Sequence, residues 1–285
     1  MIPLAQAIDA ATRRLEAAGV PSPRVDAELL AAHVLLLGRG ELAARALAGG
    51  LIDDPDATAF SELIVRRAAR EPLQHLTGIA HFRSLTLRVG PGVFVPRPET
   101  ELVAQFAIDA LAAVAASEPL AVDLGTGSGA IAIALATEVP HSRVVAVELS
   151  PDALVWARQN ASASAARNLT LVLGDLATAL PELDGRVDVV VSNPPYIPTG
   201  AVPRDPEVRL HDPELALYGG GDGLDAVRAL DATALRLLRP GGTLVIEHGE
   251  LQGEAVAGLL RASGWRTVAT HPDLTGRPRA TTAIR

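Results

Sequence analysis

From residue 120 onward, short apolar runs alternate with stretches of helical periodicity, and this rhythm restricts the chain to very few folds. The runs lie at 121–124, 143–148, 169–173, 188–192, 243–247, 265–269 and 280–284. Helical patterns fill 130–137, 151–161, 224–238 and 252–262. Continuous runs of Val, Ile, Leu and Ala match strands buried on both faces, which is the pattern of parallel sheets covered by helices. The alternation therefore predicts an α/β fold with a doubly wound, seven-stranded, mostly parallel sheet. Only a short Pro- and Gly-containing loop separates the last two runs, so they are expected to pair antiparallel.

The first 70 residues differ. Leu4, Ala7, Ile8, Ala11 and Leu15 recur at helical spacing, and Gly19-Val20-Pro21 stops that helix. A second helix follows Ser22-Pro23 through Ala27, Leu30, Ala31, Val34 and Leu35, ending near Gly38. A third runs over 55–70, with Phe60, Leu63, Ile64 and Ala68 inward and Asp53 or Asp54 as its cap. Alternation over 82–89, a turn at Gly90-Pro91-Gly92 and then Val93-Phe94-Val95 predict a β-hairpin. The expected organisation is a helical bundle at 1–77, a hairpin linker at 78–98 and the α/β domain at 99–285.

The 285 residues carry a formal net charge of −8, with 25 Lys plus Arg against 33 Asp plus Glu. That balance argues against duplex nucleic-acid binding by phosphate neutralisation, so no stable nucleic-acid partner is expected. Without Cys, disulfides, thiolate metal sites and cysteine nucleophiles are excluded. His75 and His81 lack a convincing ligand set, so no metal is expected. No apolar run is long enough to span a membrane and the start lacks a basic region, so a cytoplasmic protein is expected.

Asp123-Leu124-Gly125-Thr126-Gly127-Ser128-Gly129 follows the first run and opens a helix. Glycines let backbone N–H groups approach a ligand, and the helix start adds positive potential. With Ala130 the run also fits a dinucleotide fingerprint, and Glu148 stands at the position of a ribose-binding carboxylate. Asp123 points away from a dinucleotide: a carboxylate there would repel a pyrophosphate but attract a cationic amino-acid group. Asp175, after the third run, is placed to meet an adenine edge.

Asn193-Pro194-Pro195-Tyr196 follows the fourth run. Two prolines can neither continue a ladder nor start a helix, so a polar amide and an aromatic ring are held at a strand's carboxyl end. Ligands bind there in open α/β sheets. The Asn side-chain oxygen and a proline carbonyl can accept the two hydrogens of a planar NH2 group, and the Tyr ring can cover its face.

The glycine run, Glu148 and Asn193–Tyr196 together resemble the class I S-adenosylmethionine-dependent methyltransferases that act on planar nitrogens. Adding 71–78, 94–100 and Glu247-His248-Gly249, the chain resembles the peptide chain release factor N5-glutamine methyltransferases. The resemblance implies S-adenosylmethionine as cofactor, with S-adenosylhomocysteine as product. It implies methyl transfer to the glutamine of a Gly-Gly-Gln motif in class I release factors, by a monomer whose N-terminal bundle docks the substrate. Asp123, Gly125, Thr126, Gly127, Ser128, Gly129, Glu148, Asp175, Leu176 and Asn193 would then line the cofactor site. Asn193, Pro194, Pro195, Tyr196 and Phe94 would hold the substrate, with Asn193, Pro194 and Tyr196 catalytic. Leu176 replaces an aromatic found in some relatives.

The alternative is a nucleic-acid methyltransferase acting on adenine N6 or guanine N2, whose flipped base would stack on Tyr196. A dinucleotide-dependent dehydrogenase accounts for the glycine run but not for Asn193–Tyr196. A binding module without turnover is a third reading, against which the intact glycine run and Asn193 count. His248 reads as a packing residue, Glu247 as a strand-end carboxylate that hydrogen-bonds nearby backbone, and 205–214 as a solvated acidic loop.

Overall fold

The computed structural model describes residues 1–285. The chain divides into two units: Met1–Ile79 with Pro203–His211, and Ala80–Val202 with Asp212–Arg285.

The first unit contains helices α1 (Leu4–Ala17), α2 (Pro23–Val34), α3 (Arg39–Leu47), α4 (Asp54–Ala68) and α5 (Leu73–Thr77). The periodic positions of α1 are all buried, and Leu4, Ile8 and Leu15 share a core with Leu30, Phe60 and Ile64. Asp53 caps α4, its side chain accepting from the Asp56 N–H at 2.9 Å. Helix α3 has no counterpart in the sequence reading, because it buries only Leu42 and so displays no stripe.

A short helix, Pro206–His211, belongs to this unit and corrects the reading of 205–214 as solvated. Glu207 is buried. It accepts from Arg70 at 2.8 and 2.5 Å and pairs with Arg67 at 2.7 Å. Arg67, also buried, donates to Asp26 at 2.7 Å. Buried charges persist only when paired in this way.

The second unit begins with a hairpin of strands Ile79–Phe82 and Leu85–Arg88, the first strand starting at the boundary. Its turn lies at Arg83, with φ of 53°, not at Gly90–Gly92. The Arg83 N–H donates to Glu101 at 2.9 Å and its guanidinium pairs with Glu138, which holds this bend. Val93 and Val95 form no strand; they are buried with Ala80, Val89 and Ala153.

The main sheet comprises β1 (Leu120–Leu124), β2 (Arg143–Glu148), β3 (Leu169–Leu173), β4 (Val187–Ser192), β5 (Leu238–Glu247), β6 (Arg266–Pro272) and β7 (Pro278–Ile284). Its order is β6-β7-β5-β4-β1-β2-β3. The pairs β1–β2, β1–β4, β2–β3 and β4–β5 are parallel, whereas β7 pairs antiparallel with both β5 and β6. Central strands β1 and β4 are buried along their whole length. Helices α6 (Thr100–Ala112), α7 (Ala130–Glu138), α8 (Pro151–Ala163), α9 (Asp225–Leu237) and α10 (Gly253–Ala262) accompany the sheet. Alternate residues of β4 enter two separate cores: Val189 and Val191 one, Val190 the other. Strand order reverses at β1, which lies between β2 and β4, so the crevice expected at a topological switch point opens at the carboxyl ends of β1 and β4. No helix is long and apolar enough to cross a membrane.

Candidate active site

β1 stops at Leu124 and the glycine loop begins. Gly125, Gly127 and Gly129 take φ of 79°, 57° and 86°, where a side chain would be strained. A Cβ at Gly125 or Gly127 would meet no atom within 4 Å, so the loop borders open space. The N–H groups of Gly125 and Thr126 both donate to the Val147 carbonyl, at 2.9 and 3.0 Å, hooking the loop onto β2. Thr126 and Ser128 are buried. The loop ends where α7 starts.

Asp123 is fully buried. Its Oδ2 accepts from the Thr126 hydroxyl at 2.6 Å, and its Oδ1 has no hydrogen-bond partner. Burial, with the nearby Glu148 charge, pushes the Asp123 carboxyl up to about 7. Glu148, at the end of β2, accepts from the Gly127 N–H at 2.7 Å and the Ser150 N–H at 2.8 Å. It therefore braces the glycine loop and opens the turn into α8. Each carboxylate oxygen keeps a lone-pair direction for a further donor. Gly174, just past β3, donates to the Glu148 carbonyl at 2.9 Å, bringing the Asp175 loop beside Glu148. Asp175 is exposed, and its Oδ1 accepts from the Ala177 N–H at 2.9 Å. Leu176 is half-buried against the core that holds Val147. The loop geometry, the orphaned Asp123 oxygen and the spare lone pairs of Glu148 fit a cofactor with a cationic amino-acid end and a diol.

Asn193, Pro194, Pro195 and Tyr196 leave the sheet directly after Ser192. The buried Ser192 hydroxyl donates to the Leu124 carbonyl at 2.5 Å, tying the start of this tetrapeptide to the start of the glycine loop. Asn193 donates its Nδ2 to the Thr100 hydroxyl oxygen at 3.3 Å. Thr100 opens α6 and closes the segment that carries Phe94 and Arg97. The Arg97 guanidinium stands 5.0 Å from the Phe94 ring centroid and donates to buried Asp212 at 2.6 Å. That gives Arg97 a structural role: it spans an aromatic ring and a fixed carboxylate.

Three contacts at this site were not read from the sequence. Glu247, the last residue of β5, is buried near the Thr100 and Tyr196 side chains, and its Oε2 has no hydrogen-bond partner, backbone or side chain. Burial pushes its carboxyl up to about 7 despite those polar neighbours and nearby Arg279. Burial also raises the Tyr196 hydroxyl, which stays protonated. Second, Gln252 Nε2 donates to the Tyr196 carbonyl at 2.9 Å while its Oε1 accepts from the Gly249 N–H at 2.9 Å. Third, the loop containing Gly219, Gly220, Gly221 and Gly223 lies against the tetrapeptide. Ile197 donates to the Leu217 carbonyl at 2.8 Å, and a Cβ at Gly223 would stand 2.3 Å from the Tyr196 oxygen. The four glycines within 219–223 were the available signal.

His248 is fully buried, its Nδ1 on the Gly249 carbonyl at 2.9 Å and its Nε2 on the Thr281 hydroxyl at 2.9 Å. Burial lowers its pKa, so it is a neutral packing residue. No group of three or more His, Asp or Glu side chains is placed to hold a metal ion.

Residues 6–78 match the PrmC N-terminal domain family, and residues 119–266 match the Methyltransferase domain family. A release factor glutamine methyltransferase of Streptomyces coelicolor is 57% identical over 96% of this chain and 95% of its own length. A 4-amino-L-phenylalanine/4-methylamino-L-phenylalanine methyltransferase of Streptomyces pristinaespiralis is 45% identical over 94% of this chain and 91% of its own. Among solved structures, the hMettl16 catalytic domain in complex with the MAT2A 3'UTR hairpin 6 shares the fold. It aligns with a TM-score of 0.56 and 15% identity over 81% of each chain. Fold, glycine loop and full-length similarity agree: the chain belongs to the release factor glutamine methyltransferase family.

Proposed function

We propose that this enzyme transfers a methyl group from S-adenosylmethionine to the side-chain amide nitrogen of glutamine in the Gly-Gly-Gln motif of class I peptide chain release factors. The observation that carries the reading is the junction at the switch point. An amide-binding tetrapeptide and a glycine cradle are joined there by the Ser192–Leu124 hydrogen bond of 2.5 Å. The 57% identity to the S. coelicolor enzyme supports glutamine as the acceptor.

Gly125, Thr126, Gly127, Ser128 and Gly129 would wrap the methionine part of the cofactor, with the buried Asp123 oxygen facing its ammonium group. Glu148 would accept from the ribose hydroxyls, and Asp175 with Leu176 would border the adenine. When bound, S-adenosylmethionine supplies an electrophilic methyl group on a sulfonium sulfur. An amide nitrogen is a poor nucleophile because its lone pair is delocalised into the carbonyl. Asn193 Oδ1 and the Pro194 carbonyl accept its two hydrogens, which orients the nitrogen and raises its electron density. Pro195 keeps the loop rigid, while Tyr196 and Phe94 cover the amide faces. Catalysis is then mostly proximity and preorganised dipoles. The nitrogen would take the methyl group as the S–CH3 bond breaks, with the thioether S-adenosylhomocysteine as leaving group, and the surplus proton on the alkylated nitrogen, now acidic, would pass to water without a strong base. The first unit serves as the release-factor docking surface, and the protein works in the cytoplasm as a monomer.

The test is methyl transfer from labelled S-adenosylmethionine to a class I release factor, an oligonucleotide or 4-aminophenylalanine, with the methyl located by mass spectrometry. Label on the Gly-Gly-Gln glutamine is expected. Label only on a base or only on the arylamine overturns the assignment; the arylamine arm is included because the S. pristinaespiralis relative carries that name.

A further inference from the structure

We infer that Gln252 is a positioning residue for methyl transfer, whose side-chain amide pins the backbone of Asn193–Tyr196 to the start of α10. The inference rests on the proposed role of that tetrapeptide in holding a planar amide.

Pro194 and Pro195 have no N–H, so neither can anchor this segment by donating to a neighbour. A stretch so short of donors is held through its carbonyls, by donors that arrive from outside. Gln252 is such a donor. Its Nε2 donates to the Tyr196 carbonyl at 2.9 Å and stands 3.5 Å from the carbonyls of Asp222 and Gly223. Its Oε1 accepts from the Gly249 N–H at 2.9 Å. These partners fix which way the amide points. A half-turn would set the oxygen against three carbonyls and the NH2 against an N–H, losing every one of these bonds.

The amide stands on a rigid base. Gln252 immediately precedes α10; its N–H donates to the Gly249 carbonyl at 2.9 Å, and its carbonyl accepts from the Val256 N–H at 2.9 Å. Val256 and Leu260 of α10 are fully buried in the core that also holds Val190 of β4. The first turn sits tightly on its neighbours: a Cβ at Gly253 would stand 2.9 Å from Thr270 Cγ2 and 3.2 Å from His248 Cε1. Gly219 backs the same tetrapeptide, since a Cβ there would lie 2.4 Å from the Pro195 oxygen. The place of the Tyr196 carbonyl is therefore set by α10. The Pro194 carbonyl and the Asn193 amide, just upstream across two rigid rings, follow it. Proximity catalysis depends on such placement, and a shift of about 1 Å costs on the order of 100-fold in rate.

The experiment compares Gln252→Met and Gln252→Glu with the wild-type chain, using a class I release factor and S-adenosylmethionine. It measures kcat, KM for the release factor and cofactor affinity. Gln252→Met keeps the length of the side chain and removes donor and acceptor together. It is expected to lower kcat about 10-fold, the effect of leaving one partly buried carbonyl unpaired. Gln252→Glu keeps the acceptor for Gly249 but turns an oxygen on the Tyr196 carbonyl, so its kcat should fall further. Cofactor affinity should stay within about 3-fold of wild type in both, because neither variant removes a hydrogen bond of the glycine loop. A residue that only closed the turn through Gly249 would give the reverse order, with Gln252→Glu near wild type. That order, or wild-type kcat in either variant, overturns the inference, as does a loss of cofactor affinity as large as the loss of kcat. Should Gln252→Glu fail to fold, Gln252→Met decides: unchanged kcat overturns the inference. A wild-type chain that methylates no planar amine would instead remove the proposed function itself.

Discussion

The hydroxyl of Ser192 donates to the carbonyl of Leu124 at 2.5 Å, joining the carboxyl ends of β4 and β1 where both residues are fully buried. Both functional loops leave the sheet at this bond. Ser192→Ala should therefore destabilise the protein by about 1–3 kcal/mol and lower kcat, because a buried carbonyl loses its partner and two loops lose their common reference. Chemical denaturation with parallel kinetics checks both effects.

Asp123 sets function against stability. Its ordinary value is 3.8, and burial pushes it up to about 7 in the folded protein. Between those values the folded state holds a proton that the unfolded state has released, so stability falls as pH rises through this window. The full penalty stands above about 7 and is on the order of a few kcal/mol. Asp123→Asn should therefore raise the melting temperature of the ligand-free enzyme at alkaline pH, with less gain at acidic pH. The same variant should weaken S-adenosylmethionine binding. Calorimetry across the pH range reads the first effect and titration the second.

Gly223 approaches the tetrapeptide backbone too closely for any side chain. A Cβ there would lie 2.3 Å from the Tyr196 oxygen and 2.8 Å from Gln252 Nε2, and its φ is 78°. Gly223→Ala should cost about 1–3 kcal/mol of stability and lower kcat, since relief of the clash must move Tyr196. Gly221→Ala, where a Cβ meets nothing within 4 Å, should leave both nearly unchanged. Thermal melts of the two variants side by side test the difference.

Glu207 fastens the segment 203–211 within the first unit. Burial alone would raise its carboxyl, but hydrogen bonds from Arg70 and Arg67 outweigh burial and hold it well below the usual carboxylate range. This contribution is present above the ordinary value of 4.5 and is lost as pH falls below it. Glu207→Ala would leave buried Arg67 with Asp26 as its only carboxylate partner and should destabilise the unit by about 3 kcal/mol. Limited trypsin digestion should then cut after Arg204 and Arg209 much faster than in wild type.

The outline of this fold was legible because its strands are continuous apolar runs. The predicted segments at 143–148 and 169–173 coincide with β2 and β3. The hairpin turn was misplaced because Gly90-Pro91-Gly92 is the stronger local turn signal. The real bend is imposed at a distance, by Glu101 and Glu138 acting on Arg83. Glu207 looked like a surface acid for the same reason: its partners Arg67 and Arg70 lie more than a hundred residues away. At the site, the residues on loops at strand ends were visible as punctuation in the sequence. Thr100, Glu247 and Gln252 were not, because the contacts that bring them to Asn193 and Tyr196 are made only after the sheet has formed.

The central claim is that Asn193 presents an acceptor to a glutamine amide beside a glycine cradle for S-adenosylmethionine. The most direct test is mass spectrometry of the Gly-Gly-Gln peptide after incubation of a class I release factor and S-adenosylmethionine with wild-type enzyme or with Asn193→Ala. One methyl group on the glutamine amide nitrogen is expected with wild type, and turnover lower by on the order of 100-fold with Asn193→Ala, while cofactor affinity changes far less. Glutamine methylation at the wild-type rate by Asn193→Ala would contradict the account.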